Sequence, residues 1–304
     1  MINKYTYKKE EWIDLNDPTP EEISQIMEEY SIHPLIAKEL TSTTPKPRIE
    51  FRDGYVYTII HFPAFKHTHK KNMPDQEIDF ILGKNKLITA RYDTIDPLHK
   101  FAKELEVKEI TEREEDPNGH YIFISMLKSL YKGIFDELLY IEDTTKQITN
   151  RIFEGKEKEM VMKISEITRI LLDFKKTTDL HKEILESIII NGKEILGKEF
   201  VKEMESVYME YSKIHTTIIS NLEILGQLRD TNDSLLTSKQ NEIMKQLTIM
   251  GFIILPLTVI GQVFGMSMKS IPFAENPNGF WMAVTIMLLS VVIAVIYAKN
   301  KKWM

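Results

Sequence analysis

Positions 241, 244, 248, 251, 255, 258, 262 and 265 read Asn, Met, Thr, Gly, Leu, Thr, Gln and Gly. Their steps alternate between three and four residues, which places them along one stripe of an α-helix. From Leu247 to Met266 there is no ionisable residue, and off the stripe that run is Ile, Leu, Met, Phe and Val apart from Pro256 and Gly261. Hydroxyls and amides without an acid, base or nucleophile hold water or a hydrated ion by hydrogen bonds and perform no covalent chemistry. Gly265-Met266-Ser267 continues the stripe where the helix should end. A glycine there lets backbone carbonyls approach an axis, and the Ser267 hydroxyl can hydrogen-bond a hydrated ion. A plain helix stop followed by a turn would use similar residues.

A wettable stripe needs a helix to carry it through an apolar medium. The run 247–266 and the ion-free run from Phe280 to Ala298 are each about 20 residues, or about 30 Å as helices, the thickness of a bilayer core. Both are therefore expected to be transmembrane helices; a buried hairpin of core helices is the alternative. Pro272, Pro277, Asn278 and Gly279 supply the turn between them. Polar groups facing lipid are costly, so the stripe must face protein or water. A helix–helix seam would use small residues and hydroxyls in the same way. The large amide of Gln262 and the nearly all-apolar second run favour water, with the second helix as an outer, lipid-facing ring.

Upstream, no strong breaker interrupts the helical pattern from Glu199 to Phe264 before Pro256. A continuous helix there has roughly 65 residues and a length of about 100 Å, and needs lateral partners. Residues 1–110 read as α/β. A strand in EWIDLN precedes a helix that Thr19 caps, and YVYTIIHF is a strand; Gly83-Lys84-Asn85 splits EIDFILGKNKLITARY into a hairpin. From Asn118 two long helices are expected, separated near Gly155, the second including MVMKISEITRILLDFKKTTDLHKEILESIII.

Several functions are disfavoured. The net charge of −6 and the lack of a basic stripe with interleaved aromatics argue against nucleic acid. With no cysteine, disulfides and thiolate metal sites are excluded. GKEILGKE, residues 192–199, matches the phosphate-loop spacing up to its lysine, but Glu199 replaces the required Ser or Thr and no strand precedes it, so no nucleotide is expected. His67 and His69 in a Lys-rich loop could form a weak metal site, in which case the chain would be a tethered metal-dependent enzyme. No catalytic triad or paired carboxylates stand out. MINKYTYKKEEW contains no signal-peptide stretch, so the first 240 or so residues are expected to stay unexported. Lys239, Lys245 and the tail KNKKWM flank the two spans, whereas the joining loop carries only Lys269 and Glu275. That asymmetry puts both termini in the cytoplasm of a multi-pass plasma-membrane (inner-membrane) protein.

SKQNEIMKQLTIMGFIILPLTVIGQVFGMSM, the second apolar run and KNKKWM resemble the CorA-type magnesium transporters. Those carry a Met-Pro-Leu-Thr-like segment, then Tyr-Gly-Met-Asn, a short outer loop and a Lys-Lys-Trp-like tail. WIDLNDPTPEE, PKPRIEF and LGKNKLITAR are similar to that family's soluble domain, so the resemblance spans essentially the whole chain. It implies an α+β cytoplasmic domain of αβα type within 1–198, a stalk helix over 199–246 and a pore-lining span over 247–266. An external loop over 267–279, a second span over 280–298 and a basic tail over 299–304 follow, in a funnel-shaped homopentamer.

By the same resemblance Asn241 lies at the cytoplasmic end of a pore, and Met244 and Leu247 at a hydrophobic constriction. Thr248, Gly251, Leu255, Thr258 and Gln262 line the conduit, Gly265, Met266 and Ser267 form the outer mouth, and Glu275 belongs to the external loop. Ser267 stands where the family has asparagine, and Phe264 where it has tyrosine. The family's asparagine amides hold hydrated Mg²⁺, which dehydrates reluctantly; here Gln262 is the amide one turn deeper. Metal-sensing carboxylates between neighbouring copies would be Asp93 or Asp96 opposite Glu205 or Glu210, with Ser206 where an aspartate is expected. The implied function is passive uptake of a divalent cation, Mg²⁺ first and Co²⁺ or Ni²⁺ next, gated by cytoplasmic metal and without an organic cofactor. A ZntB-like zinc transporter and a non-conducting membrane-anchored sensor or scaffold are the alternatives.

Overall fold

Six segments rich in β-branched and aromatic residues become the strands of one sheet. A computed structural model describes residues 1–64, 75–93, 95–111, 120–266 and 278–301. The chain divides into two units, Met1–Arg229 and Asp230–Met304.

In the first unit the strands are β1 (Ile2–Tyr7), β2 (Glu10–Asn16), β3 (Arg48–Arg52), β4 (Tyr55–Pro63), β5 (Asp75–Gly83) and β6 (Lys86–Arg91), in the spatial order β1-β2-β6-β5-β4-β3. Only β2 and β6 run parallel among these pairs; the expected hairpin joins β5 to β6. Side chains alternate between the two faces of such a sheet. Ile13, Leu15, Tyr57, Ile59, Ile81 and Ile88 form one buried cluster with residues of α1 (Pro20–Tyr30) and α2 (Pro34–Glu39). On the other face Trp12 meets Phe101 of α3 (Asp96–Thr111), and Phe80 meets Phe123 of α4 (Tyr121–Phe153), with ring centroids 5.8 and 5.3 Å apart. The result is an αβα sandwich, as the sequence led us to expect.

Local chemistry sets the helix ends. Thr19 caps α1 through a reciprocal box: its hydroxyl accepts from the Glu22 amide and the Glu22 carboxylate accepts from the Thr19 amide, with Pro20 in the first turn. Glu10 does the corresponding work at α4 from more than a hundred residues away. Its carboxylate accepts from the amides of Tyr121 and Ile122 at 2.8 and 3.0 Å. Burial pushes its pKa up while those amides pull it down.

One expected helix is two. The pattern beginning at Met160 divides into α5 (Glu157–Asp179) and α6 (His181–Asn191). The break falls at Leu180, next to His181, whose buried ring is fixed on both sides: Nε2–H donates to the His61 carbonyl at 2.7 Å, and Nδ1 accepts from the Tyr131 hydroxyl at 2.9 Å. A short helix, α7 (Lys193–Leu196), follows α6, so a helix and not a strand precedes residues 192–199.

Then comes α8 (Lys198–Gly265), 68 residues with Pro256 inside. Within the first unit its buried positions are Phe200, Met204, Val207, Tyr211, Ile214, Ile218, Asn221, Leu225 and Leu228. Steps of four and three give one continuous seam, the lateral packing that so long a helix requires.

Burial lowers the pKa of both His120 and His181 to about 4. The unfolded chain binds these protons below about pH 6.5, so stability is lost as pH falls from there toward 4. Thermal unfolding of the detergent-solubilised protein should show this, and His181→Gln, which cannot charge, should have a shallower slope. Equal slopes would contradict the buried neutral imidazole.

Candidate functional site

In the second unit, α9 (Gly279–Asn300) packs on α8 through small residues: Ala283, Ala294 and Ala298 are buried. A Cβ on Gly261 would lie 3.5 Å from the Met287 Cε, and Phe252 stacks on Tyr297 with centroids 5.7 Å apart. The half-buried residues of this part of α8 are Ile249, Ile253, Pro256, Leu257, Ile260, Gly261 and Phe264. At about 100° per residue their mean direction is roughly opposite to that of the stripe. Every stripe residue from Asn241 to Gly265 is exposed, Met244 by 60% and Leu255 by 66%. Leu247, on the flank, is exposed as well.

The hydroxyls of the stripe have a fixed polarity. Thr248 donates to the Met244 carbonyl at 2.8 Å and Thr258 to the Ile254 carbonyl at 3.0 Å. With each proton committed to its own helix, the oxygen presents lone pairs outward as an acceptor. Such groups suit the water hydrogens around a cation and repel anions. Gln262 adds an exposed amide with both donor and acceptor capacity. A Cβ on Gly251 or Gly265 would meet nothing within 4 Å among the described residues, whose packing inside one chain therefore does not explain these glycines. On α9, Thr285 and Ser290 bond their own helix, at the Trp281 and Met287 carbonyls, so neither hydroxyl needs a further donor role in lipid.

Met266 lies just past the end of α8 and is exposed. Ser267, Glu275, His67 and His69 fall outside the described residues. Asp93 lies between β6 and α3, half-buried, and its carbonyl accepts from Arg91. Asp96 begins α3, and Glu205 is exposed on α8. Glu210 lines a groove of about 830 Å³ between α3, α4 and α8, shared with Lys100, Lys128, Lys132 and Lys213. Among the described residues of one chain no three His, Asp or Glu side chains converge in metal-binding geometry. The alanines of α9 were not singled out in the sequence; their spacing, 283, 294 and 298, held the signal.

An αβα unit, a long helix with an uncovered polar stripe and a second apolar helix define a membrane protein with two helices long and apolar enough to span a bilayer. The family model described as CorA-like Mg²⁺ transporter protein matches residues 8–300, and the chain belongs to that family, one of transporters and not of enzymes. The cobalt/magnesium transport protein CorA of Thermotoga maritima is 26% identical over 283 residues, covering 93% of this chain and 80% of the relative. The protein of the same name from Methanocaldococcus jannaschii is 23% identical over 293 residues, covering 96% and 90%. The solved CorA magnesium transporter of M. jannaschii has the same fold, with a TM-score of 0.84 at 21% identity over 99% of this chain and 94% of that one. The ZntB cytoplasmic domain of Vibrio parahaemolyticus shares the fold more distantly, with a TM-score of 0.61 at 14% identity over 76% and 89%.

The chain has no cysteine, so single-cysteine variants report cleanly. Membrane-impermeant thiol reagents should modify Thr258→Cys and Gln262→Cys and spare Ile253→Cys and Ile260→Cys. The reverse pattern would show that the stripe is sealed from water.

Proposed function

We propose that this chain transports divalent cations through a water-filled path lined by the α8 stripe of several copies, five in the arrangement the family resemblance implies. The observation that carries this reading is the uncovered stripe of outward acceptor oxygens on the side of α8 away from α9. The transported ion is Mg²⁺, with Co²⁺ and Ni²⁺ as further substrates; the names of the relatives support Mg²⁺ and Co²⁺. Both termini lie in the cytoplasm, the loop after α8 lies outside, and the ion enters past Gly265, Met266 and Ser267.

Neutral oxygens bind a hydrated ion weakly enough to let it move on. An inside-negative potential contributes about 2.3 kcal/mol per charge per 100 mV, hence about 4.6 kcal/mol for a divalent ion, which drives uptake without a nucleotide. Asn241, Met244 and Leu247 form the narrow inner section. Asp93 or Asp96 of one copy opposite Glu205 or Glu210 of the next would hold regulatory metal, cancelling charge and keeping that section closed. On this scheme, lowering Mg²⁺ on the cytoplasmic side of a bilayer raises the current; a current indifferent to Mg²⁺ removes the gating scheme.

Reconstituted flux of Mg²⁺, Co²⁺, Ni²⁺ and Zn²⁺ measured side by side tests the function itself. Flux of none would leave a scaffold, and Zn²⁺ alone would favour a ZntB-like exporter or importer. Gln262→Ala should lower Mg²⁺ flux by about tenfold, the equivalent of one hydrogen bond, and by more than Ser267→Ala does. The opposite order would exclude Gln262 as the selecting amide.

A further inference from the structure

The α2–β3 connection, residues 41–47, crosses one end of the sheet and is tied down at Thr44 by all of its polar groups. The Thr44 amide donates to Glu77 Oε2 at 2.7 Å and its hydroxyl to Glu77 Oε1 at 3.1 Å; its carbonyl accepts from His61 Nε2 at 2.9 Å. Each Glu77 oxygen therefore accepts from one Thr44 donor. Two residues along β5, and so on the same sheet face, lies Asp79, 1% exposed. Asp79 has a single donor, the Tyr57 hydroxyl at 2.8 Å from Oδ2, while Oδ1 has no partner among the described residues.

A buried carboxylate with one neutral donor and a second carboxylate beside it is strongly disfavoured. We propose that Asp79 stores a proton beneath residues 41–47 and that its loss frees them from the sheet, a pH-sensitive latch in the first unit. None of the other groups facing it forms an ion pair with Asp79 among the described residues. Burial keeps Tyr57 from β4 and Tyr92 after β6 neutral, and the Tyr92 hydroxyl also has no partner among the described residues. Glu39 at the end of α2 adds negative charge but is paired with Arg48 of β3. His61 from β4 is committed to Glu77, 3.2 Å away, and to the Thr44 carbonyl. Asp75, further along β5, takes the Thr177 hydroxyl.

Burial first, and the Glu77 charge next, push the Asp79 carboxyl well above the usual carboxylate range. A raised folded-state value means that folding takes up a proton, so stability falls as pH rises from the usual carboxylate value toward the raised one. When Asp79 gives its proton to solvent, two adjacent negative charges remain. Glu77 then turns away from Asp79, and the Thr44 amide and hydroxyl lose their acceptor.

Hydrogen exchange on the full-length protein in detergent tests this. As pH is raised from the usual carboxylate range into the alkaline range, peptides covering 41–47 should lose roughly tenfold more protection than intrinsic exchange chemistry explains. Asp79→Asn, nearly isosteric and neutral throughout, should keep its protection. Equal losses in wild type and variant would overturn the latch. If Asp79→Asn does not fold, infrared difference spectra of wild type carrying ¹³C-labelled aspartate decide the matter. A protonated aspartic acid band at neutral pH that vanishes on alkalinisation supports the proposal, and its absence at neutral pH overturns it.

Discussion

A helix that is apolar on most sides and polar along one stripe cannot be solvated by lipid all round. The second unit responds to this constraint in a particular way. The only helix that packs on this part of α8 among the described residues, α9, takes the face carrying Ile253, Leu257, Ile260 and Phe264 and leaves Thr248, Thr258 and Gln262 open. Had α9 covered the stripe instead, the chain would be a self-contained hairpin. As it is, a single copy exposes an unfinished surface, and the proposed assembly completes it.

The two threonines show how polarity is tuned without charge. By spending their protons on the Met244 and Ile254 carbonyls they become acceptors only. A carboxylate would bind a divalent ion far more tightly and would need a counter-charge when empty. Neutral acceptors avoid both difficulties and favour passage over storage. The hydroxyls of α9 use the same self-bonding for the opposite purpose, being silenced on an otherwise apolar surface.

The first unit fixes one α8 face through an apolar seam and holds its layers together through buried polar links. Asp14 accepts from Arg91 and Thr89, and Trp12 donates to Thr89, all on the sheet face that meets α3 and α4. Removing one member of so buried a set leaves the others unsolvated, which specifies strand order more sharply than apolar contact alone. Glu10, His181 and Glu77 act similarly at the start of α4, the α5–α6 break and the 41–47 connection.

Periodic features were legible in advance. The β-branched and aromatic residues of β4 and β5, the Thr19 cap and the three-and-four spacing in α8 each depend on neighbours in sequence, so local pattern determined them. The six residues of β1 offered no such signal; they are a strand because β2 pairs with them. The break at Leu180 lies inside an uninterrupted helical pattern, beside a His181 ring held by His61 and Tyr131, 120 and 50 residues away. The sequence by itself determined that α8 carries a polar stripe, since helical periodicity alone puts those side chains on one line. Which face α9 covers, and therefore that the stripe stays open, was decided only by tertiary packing, because Ala283, Ala294, Ala298 and Gly261 permit a close approach on one side alone.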